Sequence, residues 1–331
     1  MMMDNEKIIH ILKDHEGRFV SGEIISREVG ITRAAIWKRI SSLKSLGYVI
    51  DARQNMGYRL MRSPDILSPA EIRYRLGTKI VGREIRYFPV LESTNAEAFR
   101  AATEGGEDGL VIVTDHQTGG KGRLNRTWFS FRRQSISLSV VLRPKIVPYV
   151  ATMLTYMAGI ALYETIYALT AVKPSIKWPN DILMNGRKVA GILCELNSET
   201  DVVNFAVIGL GVNLNVRKNK FPLEIRDAST SIYEETKKRT KRVAFVKELL
   251  RQLDYWYSVF LREGGDQRIL LDWKERADIL GKDVKVRSFD EEIVGRVVDV
   301  DSSGALIVET KEGSRKRVIA GDLETFVLPE E

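Results

Sequence analysis

The segment QTGGKGRLNRTW, residues 117–128, combines three glycines with three cationic side chains and ends on an indole. Glycines let backbone N–H groups approach an anion closely, and the cations Lys121, Arg123 and Arg126 would neutralise its charge. The GxxxxGK[ST] spacing of a P-loop is absent from this segment. It is either a solvated surface loop or an anion-binding loop, and Trp128 either fills a core or offers a flat apolar face to a base.

Two further segments hold polar residues suited to ligand binding. ESTNAEA sets Ser93, Thr94 and Asn95 between a strand-like run and a helix, where hydroxyl groups commonly serve only as helix caps. VIGLGVNLN has two glycines that leave space beside a strand, and its Asn213 offers both a donor and an acceptor. Neither segment alone is specific for a function.

The segment IKWPNDILMNGRKVAGIL places two charged residues, Lys177 and Asp181, on either side of a polar turn. The Asp181 carboxylate is suited to a metal ion that is itself bound to phosphate. Asn185 and Gly186 predict a hairpin turn, followed by a strand that contains Lys188. Each of the four segments is weak evidence alone, but the set of four is specific.

Elements of both secondary-structure types are needed to position these residues. GLVIVTDHQ, SISLSVVLRP and VNFAVIGLGVNLN predict strands, whereas TNAEAFRAATE and YVATMLTYMAGIALYETIYAL predict helices. We therefore expect a multidomain α+β protein whose central domain has a mixed or largely antiparallel sheet.

The uncharged run from Ile146 to Tyr163 touches the lower length limit of a membrane span, but its proline, glycine, threonines and tyrosines favour a buried core helix.

The C-terminal region has a different pattern from the central one. From Gly281 onward, KDVKVRSF, EEIVGRVVDVD, ALIVET and RKRVIA predict four short strands joined by turns at residues 302–304 and Gly313. Short strands at this close spacing are typical of a small barrel.

The formal charge of +7 is concentrated at the N terminus, where residues 1–62 hold eleven Lys/Arg against seven Asp/Glu. The stretch SGEIISREVGITRAAIWKRISSLKSLGYVI predicts two helices around a turn at Gly30, with Thr32 capping the second. Ile36 and Ile40, with Leu43 one turn later, share the core-facing side of that helix. The following YVIDARQNMGYRL predicts a hairpin with a polar tip, so the segment indicates a winged helix–turn–helix.

Small and basic residues on the exposed side of the second helix are what entry into a DNA major groove requires. A helical protein-interaction module with a solvated basic face is the alternative. The candidate DNA-binding residues are Arg33, Ala34, Trp37, Lys38 and, in the hairpin, Arg53.

Composition and length limit the class of protein. The chain of 331 residues is 44% hydrophobic and 29% charged, as expected of a globular protein with two or three domains. Its single cysteine, Cys194, excludes an internal disulfide, and its charged N-terminal segment lacks the apolar core of a signal peptide. We therefore predict a cytoplasmic protein with no membrane partner. Pro64 and Pro69 mark the first predicted domain boundary.

The segments STN, QTGGKGRLNRTW, KWPND, KVAGIL and GLGVNLN, behind a winged helix and before a small barrel, closely resemble the bifunctional biotin–protein ligases that also repress the biotin operon. The resemblance covers nearly the entire chain. It implies a winged helix–turn–helix domain at 1–63, a ligase domain like that of class II aminoacyl-tRNA synthetases at 68–276, and an SH3-like barrel at 281–328. Lys121 stands where the family usually has an arginine, so the charge is kept and the bidentate fork is lost.

The resemblance also implies the reaction and its partners. Biotin and MgATP would give biotinyl-5′-AMP and pyrophosphate, and the biotinyl group would pass to a lysine of a biotin carboxyl carrier protein. A carboxylate must attack an anionic phosphorus, so cations and a metal must offset the repulsion between them. The other implied partners are operator DNA of biotin genes and a second copy of the chain, in a homodimer that forms with the adenylate bound.

Carried over onto matching positions, the resemblance assigns a role to individual residues. The implied catalytic residues are Lys188, Arg123 and Lys121, and Mg²⁺ would be contacted by Asp181. Biotin would be bound by Ser93, Thr94, Asn95, Gln117, Gly120, Lys121, Arg123, Lys188 and Gly191. ATP and the adenylate would be bound by Arg126, Trp128, Lys177, Asn180 and Asn213. No covalent nucleophile is implied, and Cys194 is interpreted as a packing residue.

Two alternatives belong to other classes. A lipoate–protein ligase-like enzyme would share the domain type and chemistry, but it is not expected to carry this winged helix. A ligand-sensing repressor without ligase activity would keep the helix–turn–helix and lose the catalytic cations, and the presence of Arg123 and Lys188 argues against it.

Overall fold

A computed structural model of the chain describes residues 2–287 and 291–326 and divides it into two compact units. The first unit is Met1–Gly77 with Lys241–Lys247, and the second is Thr78–Thr240 with Glu248–Glu331. Three parts of the predicted domains, namely residue 1, residues 288–290 and residues 327–328, lie outside the described residues.

The first unit contains the predicted helix–turn–helix. Thr32 caps the second helix of the motif, because its Oγ1 accepts a hydrogen bond of 3.2 Å from the Ala35 backbone N–H. Ile36, Ile40 and Leu43 are buried, as the spacing predicted. An antiparallel hairpin follows. The elements are α1 (Met2–Asp14), α2 (Gly22–Val29), α3 (Arg33–Ser45), β1 (Val49–Arg53), β2 (Gly57–Arg62) and α4 (Pro69–Arg73).

Helix α4 packs on α1 within the first unit. His10 Nε2 lies 3.0 Å from the Ala70 carbonyl oxygen, and the Lys13 ammonium lies 2.5 Å from the nearly buried Glu71 carboxylate. The N-terminal segment of the first compact unit therefore ends at Gly77, beyond the boundary predicted at Pro64 and Pro69.

The second unit is built around a seven-stranded sheet in the order β3-β4-β5-β9-β8-β7-β6. Among the described strand pairs of this sheet, only β3–β4 is parallel, so the prediction of a mixed or largely antiparallel sheet is confirmed. The elements are β3 (Ile85–Phe88), α5 (Thr94–Thr103), β4 (Val111–Thr114), β5 (Ser135–Leu142), α6 (Thr152–Thr170), β6 (Ser175–Lys177), β7 (Asp181–Met184), β8 (Arg187–Ser198), β9 (Val203–Asn213), α7 (Ile232–Thr236), α8 (Arg242–Phe260), whose first residues belong to the first unit, and α9 (Gly265–Arg276).

The uncharged run that begins at Ile146 forms the buried helix α6, as predicted. The helix begins only at Thr152, because Pro148 opens a short 3-10 turn ahead of it. It packs against β8 and α9, and helix α5 packs against β4, β5 and β9. No helix in the described part of the chain is long and apolar enough to cross a membrane.

The C-terminal part of the second unit is a five-stranded antiparallel sheet in the order β13-β12-β11-β10-β14. Four of its strands were predicted. The fifth, β14, was missed because Asp322 and Glu324 interrupt its hydrophobic run. The strands are β10 (Asp283–Arg287), β11 (Glu292–Val300), β12 (Leu306–Glu309), β13 (Arg315–Val318) and β14 (Asp322–Phe326).

Candidate active site

A cavity of about 810 Å³ in the second unit gathers residues from all four candidate segments. This volume suits a ligand of small-molecule or nucleotide size. Of the predicted ligand-binding residues, the cavity is lined by Ser93, Thr94, Asn95, Gln117, Lys121, Arg123, Arg126, Trp128, Lys177, Asn180, Asp181, Lys188, Gly191 and Asn213.

Gly120 is the predicted ligand-binding residue that lies beside the cavity wall rather than in it. A Cβ at this position would lie 2.5 Å from the Trp128 carbonyl oxygen and 3.0 Å from Gln117 Nε2. Gly120 therefore lets the two ends of the loop approach each other, and the Trp128 N–H donates to the Gly120 carbonyl at 2.9 Å.

The start of α5 forms one part of the cavity. Ser93 caps the helix through a hydrogen bond of 3.4 Å from the Ala96 N–H, which confirms the capping interpretation. The Thr94 backbone N–H and hydroxyl donate to Gln117 Oε1 at 2.7 and 2.9 Å. Asn95 is buried beside them and donates from Nδ2 to the Glu195 carboxylate at 2.6 Å.

The glycine-rich loop folds back on itself and carries its cations at the cavity. The Gly122 N–H donates to the Arg126 carbonyl at 2.7 Å. Arg123 reaches Asn180 Oδ1 at 3.4 Å, and burial lowers the pKa of its guanidinium, which the Asp181 carboxylate opposes. Lys121 is exposed. The Arg126 guanidinium pairs with the Asp322 carboxylate of β14, which joins the loop to the C-terminal sheet.

Trp128 packs its ring directly against strand β9. A Cβ added to Gly211 would lie 2.3 Å from the indole, so only glycine leaves room for the ring there. The ring also lies 3.3 Å from the Cβ position of Gly191, and the Lys188 ammonium lies 5.6 Å from its centroid. The indole N–H is buried and has no hydrogen-bond partner among the described residues. Trp128 thus lines the cavity while packing on the sheet.

Lys188 of β8 and Asp181 of β7 form an ion pair across the antiparallel pair β7–β8. The Lys188 ammonium lies 2.7 Å from Asp181 Oδ1. The predicted turn at Asn185 and Gly186 is present, with φ values of 49° and 74° that fit a tight hairpin. Both side chains line the cavity, so it contains a cation and a carboxylate side by side.

Two amide side chains and one lysine complete this end of the cavity. Asn180 donates from Nδ2 to the Ile192 carbonyl at 2.7 Å, which leaves its Oδ1 towards Arg123. Asn213 is buried, and its Oδ1 has no hydrogen-bond partner in the described part of the chain. Because a buried polar atom without a partner is costly, this oxygen is suited to a ligand N–H. Lys177 lines the same cavity.

Sequence reasoning missed functional candidates in two places. Ser139 of β5 is fully buried, and its hydroxyl lies within 2.8 Å of both Thr94 Oγ1 and Asn95 Oδ1. The sequence pattern that could have identified Ser139 is a serine at every second position of an otherwise hydrophobic strand, namely Ser135, Ser137 and Ser139. The C-terminal sheet also contributes to the cavity wall. Its lining residues are Arg287, Gly321, Asp322, Leu323 and Glu324.

Cys194 lies outside this chemistry. Burial raises the pKa of its thiol to about 12, so the group is protonated near neutral pH and is a poor nucleophile. This agrees with its interpretation as a packing residue.

The first unit has a separate groove between α3 and the β1–β2 hairpin. Three predicted DNA-binding residues, Arg33, Trp37 and Arg53, line this groove. Ala34 and Lys38 are exposed on α3 but lie outside its lining. Trp37 is 65% exposed, which is unusual for a large aromatic side chain. The groove also contains Glu23, whose carboxylate lies 3.1 Å from the Arg33 guanidinium, and Arg53 pairs with Asp51 at 3.2 Å.

Comparisons with known proteins agree with this architecture. Residues 87–213 match the biotin/lipoate A/B protein ligase family, residues 5–59 match a helix–turn–helix domain, and residues 279–324 match the biotin protein ligase C-terminal domain. The fold and the cavity thus define a protein of the biotin/lipoate ligase class with an N-terminal helix–turn–helix domain.

Relatives along the full length narrow the class. The bifunctional ligase/repressor BirA of Bacillus subtilis is 34% identical over 317 residues, 96% of this chain and 97% of that protein. BirA of Escherichia coli is 30% identical, over 97% of this chain and 98% of that protein. The structure of a biotin protein ligase from Aquifex aeolicus in complex with biotin and ATP is similar with a TM-score of 0.63 and 26% identity, over 74% of this chain and 99% of that one. The chain belongs to the biotin protein ligase family.

Proposed function

We propose that the protein is an ATP-dependent biotin–protein ligase. The enzyme joins biotin to AMP, releases pyrophosphate, and passes the biotinyl group to a lysine of a biotin carboxyl carrier protein. The observation that carries this proposal is the convergence of a hydrogen-bonded polar pocket, an indole on a glycine-lined strand, and a lysine–carboxylate pair in one cavity of about 810 Å³.

The polar pocket suits the head group of biotin and the indole suits the adenylate. Thr94 and Gln117 present hydroxyl and amide groups to a cyclic urea, which has both N–H donors and a carbonyl acceptor. The Trp128 ring offers an apolar face to adenine, and the unsatisfied Asn213 Oδ1 is available to its exocyclic amine. Ser93, Asn95, Gly120 and Gly191 would complete the biotin pocket, and Arg126, Lys177 and Asn180 the adenylate pocket.

The cations support formation of the mixed anhydride. The biotin carboxylate forms a bond to the α-phosphorus of ATP while the bond from that phosphorus to the pyrophosphate oxygen breaks. Lys188, Arg123 and Lys121 would offset the negative charge shared by the two reactants, since positioning and electrostatic stabilisation dominate such reactions. The lysine amine of the carrier protein then attacks the anhydride carbonyl, and AMP leaves.

A magnesium ion fits the carboxylate that the cavity provides. Asp181 already holds a cation, the Lys188 ammonium at 2.7 Å. The described residues contain no group of three histidine, cysteine or acidic side chains that would form a complete protein cage. Magnesium bound through substrate phosphates needs only one or two carboxylates, so Asp181 would hold it together with ATP. The ion would supply charge neutralisation at the phosphoryl oxygens.

A transfer assay with labelled biotin tests the ligase proposal. The full chain is incubated with labelled biotin, MgATP and a biotin carboxyl carrier domain, and label on the carrier is followed with time. We expect ATP-dependent incorporation, and no incorporation when lipoate replaces biotin. Label transfer from lipoate but not from biotin would instead favour a lipoate ligase.

We further propose that the first unit is a winged helix–turn–helix that binds operator DNA of biotin genes, with the chain acting as a cytoplasmic homodimer when the adenylate is bound. Two copies are expected because one helix reads too few base pairs for genomic specificity. Arg33, Ala34, Trp37 and Lys38 would enter the major groove, with Arg53 at the wing. The proposed domains are 1–63, a class II synthetase-like ligase domain at 68–276, and an SH3-like barrel at 281–328.

Operator binding at one fixed salt concentration tests this second activity. The expected result is tighter binding, and a shift from monomer to dimer, on addition of biotin and ATP. Lys38→Ala should weaken binding, whereas Lys7→Ala on the exposed side of α1 should not. Equal operator affinity with and without biotin and ATP would reject the coupling and leave the ligase proposal intact.

A further inference from the structure

A buried hydroxyl lies behind the polar pocket, one layer away from the cavity. Ser139 Oγ on strand β5 is 2.8 Å from Thr94 Oγ1 and 2.6 Å from Asn95 Oδ1. Ser139 is fully buried and is not among the residues that line the cavity. It therefore acts on a ligand only through Thr94 and Asn95.

The neighbours fix the direction of most of these hydrogen bonds. The Thr94 backbone N–H can only donate, so the Gln117 atom that it meets at 2.7 Å is the amide oxygen. Asn95 Nδ2 meets the Leu193 carbonyl at 3.3 Å and the Glu195 carboxylate at 2.6 Å, and both can only accept. Asn95 therefore presents its oxygen to Ser139, which must be the donor of that hydrogen bond.

The Thr94 hydroxyl proton has two acceptors within reach. It can donate to Gln117 Oε1 at 2.9 Å or to Ser139 Oγ at 2.8 Å. In the second arrangement Ser139 still donates its own hydrogen bond to Asn95 Oδ1, so both buried hydroxyls stay satisfied. Gln117 Oε1 then keeps a lone pair free for another donor.

We propose that Ser139 is a positioning residue that lets the Thr94 hydroxyl turn away from Gln117, so that Gln117 Oε1 accepts an N–H group of the ligand. The inference rests on the proposed ligase function and concerns its preference for a cyclic urea. A ligand with urea N–H donors gains a hydrogen bond from this rearrangement. A ligand without such donors, such as a dithiolane acid, gains nothing.

The strand offers a matched control for this hydroxyl. Ser137 lies two residues before Ser139 on the same face of β5 and is also buried. Its hydroxyl has no hydrogen-bond partner among the described residues. Ser137→Ala therefore removes the same atom from the same strand without touching the Thr94 network, and Ser139→Ala removes it from within that network.

Steady-state adenylate formation by the full-length chain, measured as pyrophosphate release, tests the proposal. In Ser139→Ala the Thr94 hydroxyl keeps Gln117 as its only acceptor among the described side chains, so a urea N–H must compete with it. Losing one such hydrogen bond predicts a rise of about tenfold in KM for biotin. The same factor is expected for dethiobiotin, which keeps the urea ring and lacks the sulfur. The kcat value and the KM for ATP should change by less than about twofold, and Ser137→Ala should match the parent.

Three results would overturn the role of Ser139. One is equal KM values for biotin in Ser139→Ala and Ser137→Ala. Another is a parallel loss of kcat and of ATP affinity in Ser139→Ala, which would indicate general damage to the fold. The third is a larger effect on biotin than on dethiobiotin, which would place the loss at the sulfur ring. Absence of pyrophosphate release by the parent chain would reject the ligase function itself.

Discussion

The polar pocket around Thr94 and the glycine-rich loop differ in how their polar groups are satisfied within one cavity. In the pocket, the Thr94 hydroxyl of α5 lies 2.9 Å from Gln117 Oε1 and 2.8 Å from the Ser139 hydroxyl of β5. In the loop, Lys121 is exposed and Arg123 has one long contact of 3.4 Å to Asn180. The pocket is thus preorganised by its own neighbours, whereas the loop cations Lys121 and Arg123 lack comparable support and Arg126 pairs with the half-exposed Asp322 carboxylate.

The difference follows from the chemistry of the two ligand parts. A neutral head group is selected by donors and acceptors that are already fixed, because their ordering then costs nothing on binding. A phosphate is attracted by charge over a longer range, so flexible cations on a glycine-rich backbone can close on it after it arrives. Leu124 and Asn125 have φ values of 55° and 56°, so the loop also holds non-glycine residues in the left-handed region.

The largest effect is expected at the charged end of the cavity, at Lys188. Lys188→Ala should slow adenylate formation by about 100- to 1,000-fold, because an ammonium aimed at the reacting groups is lost. Biotin affinity should change far less, since the Thr94 pocket remains intact. Pyrophosphate release and direct biotin binding measure the two quantities, with exposed Lys220→Ala as the control. Adenylate formation at the parental rate would remove Lys188 from the site.

A smaller effect is expected where the indole meets strand β9. Gly211→Ala places a methyl group 2.3 Å from the Trp128 ring, so the ring must move. The KM for ATP should rise by about tenfold or more, consistent with loss of a stacking surface, and the KM for biotin should change less. Gly159→Ala is the control, because its Cβ meets only ordinary contacts of 3.7–3.8 Å. An unchanged KM for ATP would show that Trp128 does not contact the nucleotide.

A change of a few fold in adenylate retention is expected where the glycine-rich loop meets the C-terminal sheet. Asp322→Asn removes the carboxylate that pairs with Arg126, and both side chains are about half exposed or more. Solvent-exposed ion pairs of this kind contribute at most about 1 kcal/mol to stability. Freed from Asp322, Arg126 should hold the adenylate longer, by about two- to threefold, in a filter-retention assay. Faster loss of the adenylate would mean that the pair supports the active loop.

The smallest effect is expected at Lys121, where the chain departs from the family pattern. Lys121→Arg restores the planar fork and keeps the charge, so adenylate retention should be equal to the parent or slightly improved. The same retention assay measures it, with Lys121→Ala showing the loss of charge. A severalfold loss in the arginine variant would indicate that the loop backbone here differs from that of the family.

Local signals in the sequence accounted for much of the fold. The cap at Thr32 and the buried stripe from Ile36 to Leu43 depend only on residues a few positions apart. The four candidate segments likewise contained their own turns and glycines, and their motif spacing matched a known family. Local sequence patterns predict these features because helix capping and hydrophobic periodicity depend on residues within one or two turns of the chain.

The features that were missed depend on contacts between distant residues. Ser139 became informative only through the pairing of β5 with β9 and the approach of α5, which bring Thr94 and Asn95 to it. The pair of Arg126 and Asp322 joins residues 196 positions apart. A serine within a hydrophobic strand or an aspartate at a strand end has no local signature of such roles.

The contrast between a fixed pocket and a ligand-ordered loop is tested most directly by limited proteolysis with trypsin, which cleaves after Lys121 and Arg123. Cleavage at these sites is compared for the full chain alone, with biotin, with ATP, and with both. We predict little protection by biotin alone and strong protection by biotin with ATP, because the adenylate phosphate orders the loop. Equal cleavage in all four conditions would contradict this account.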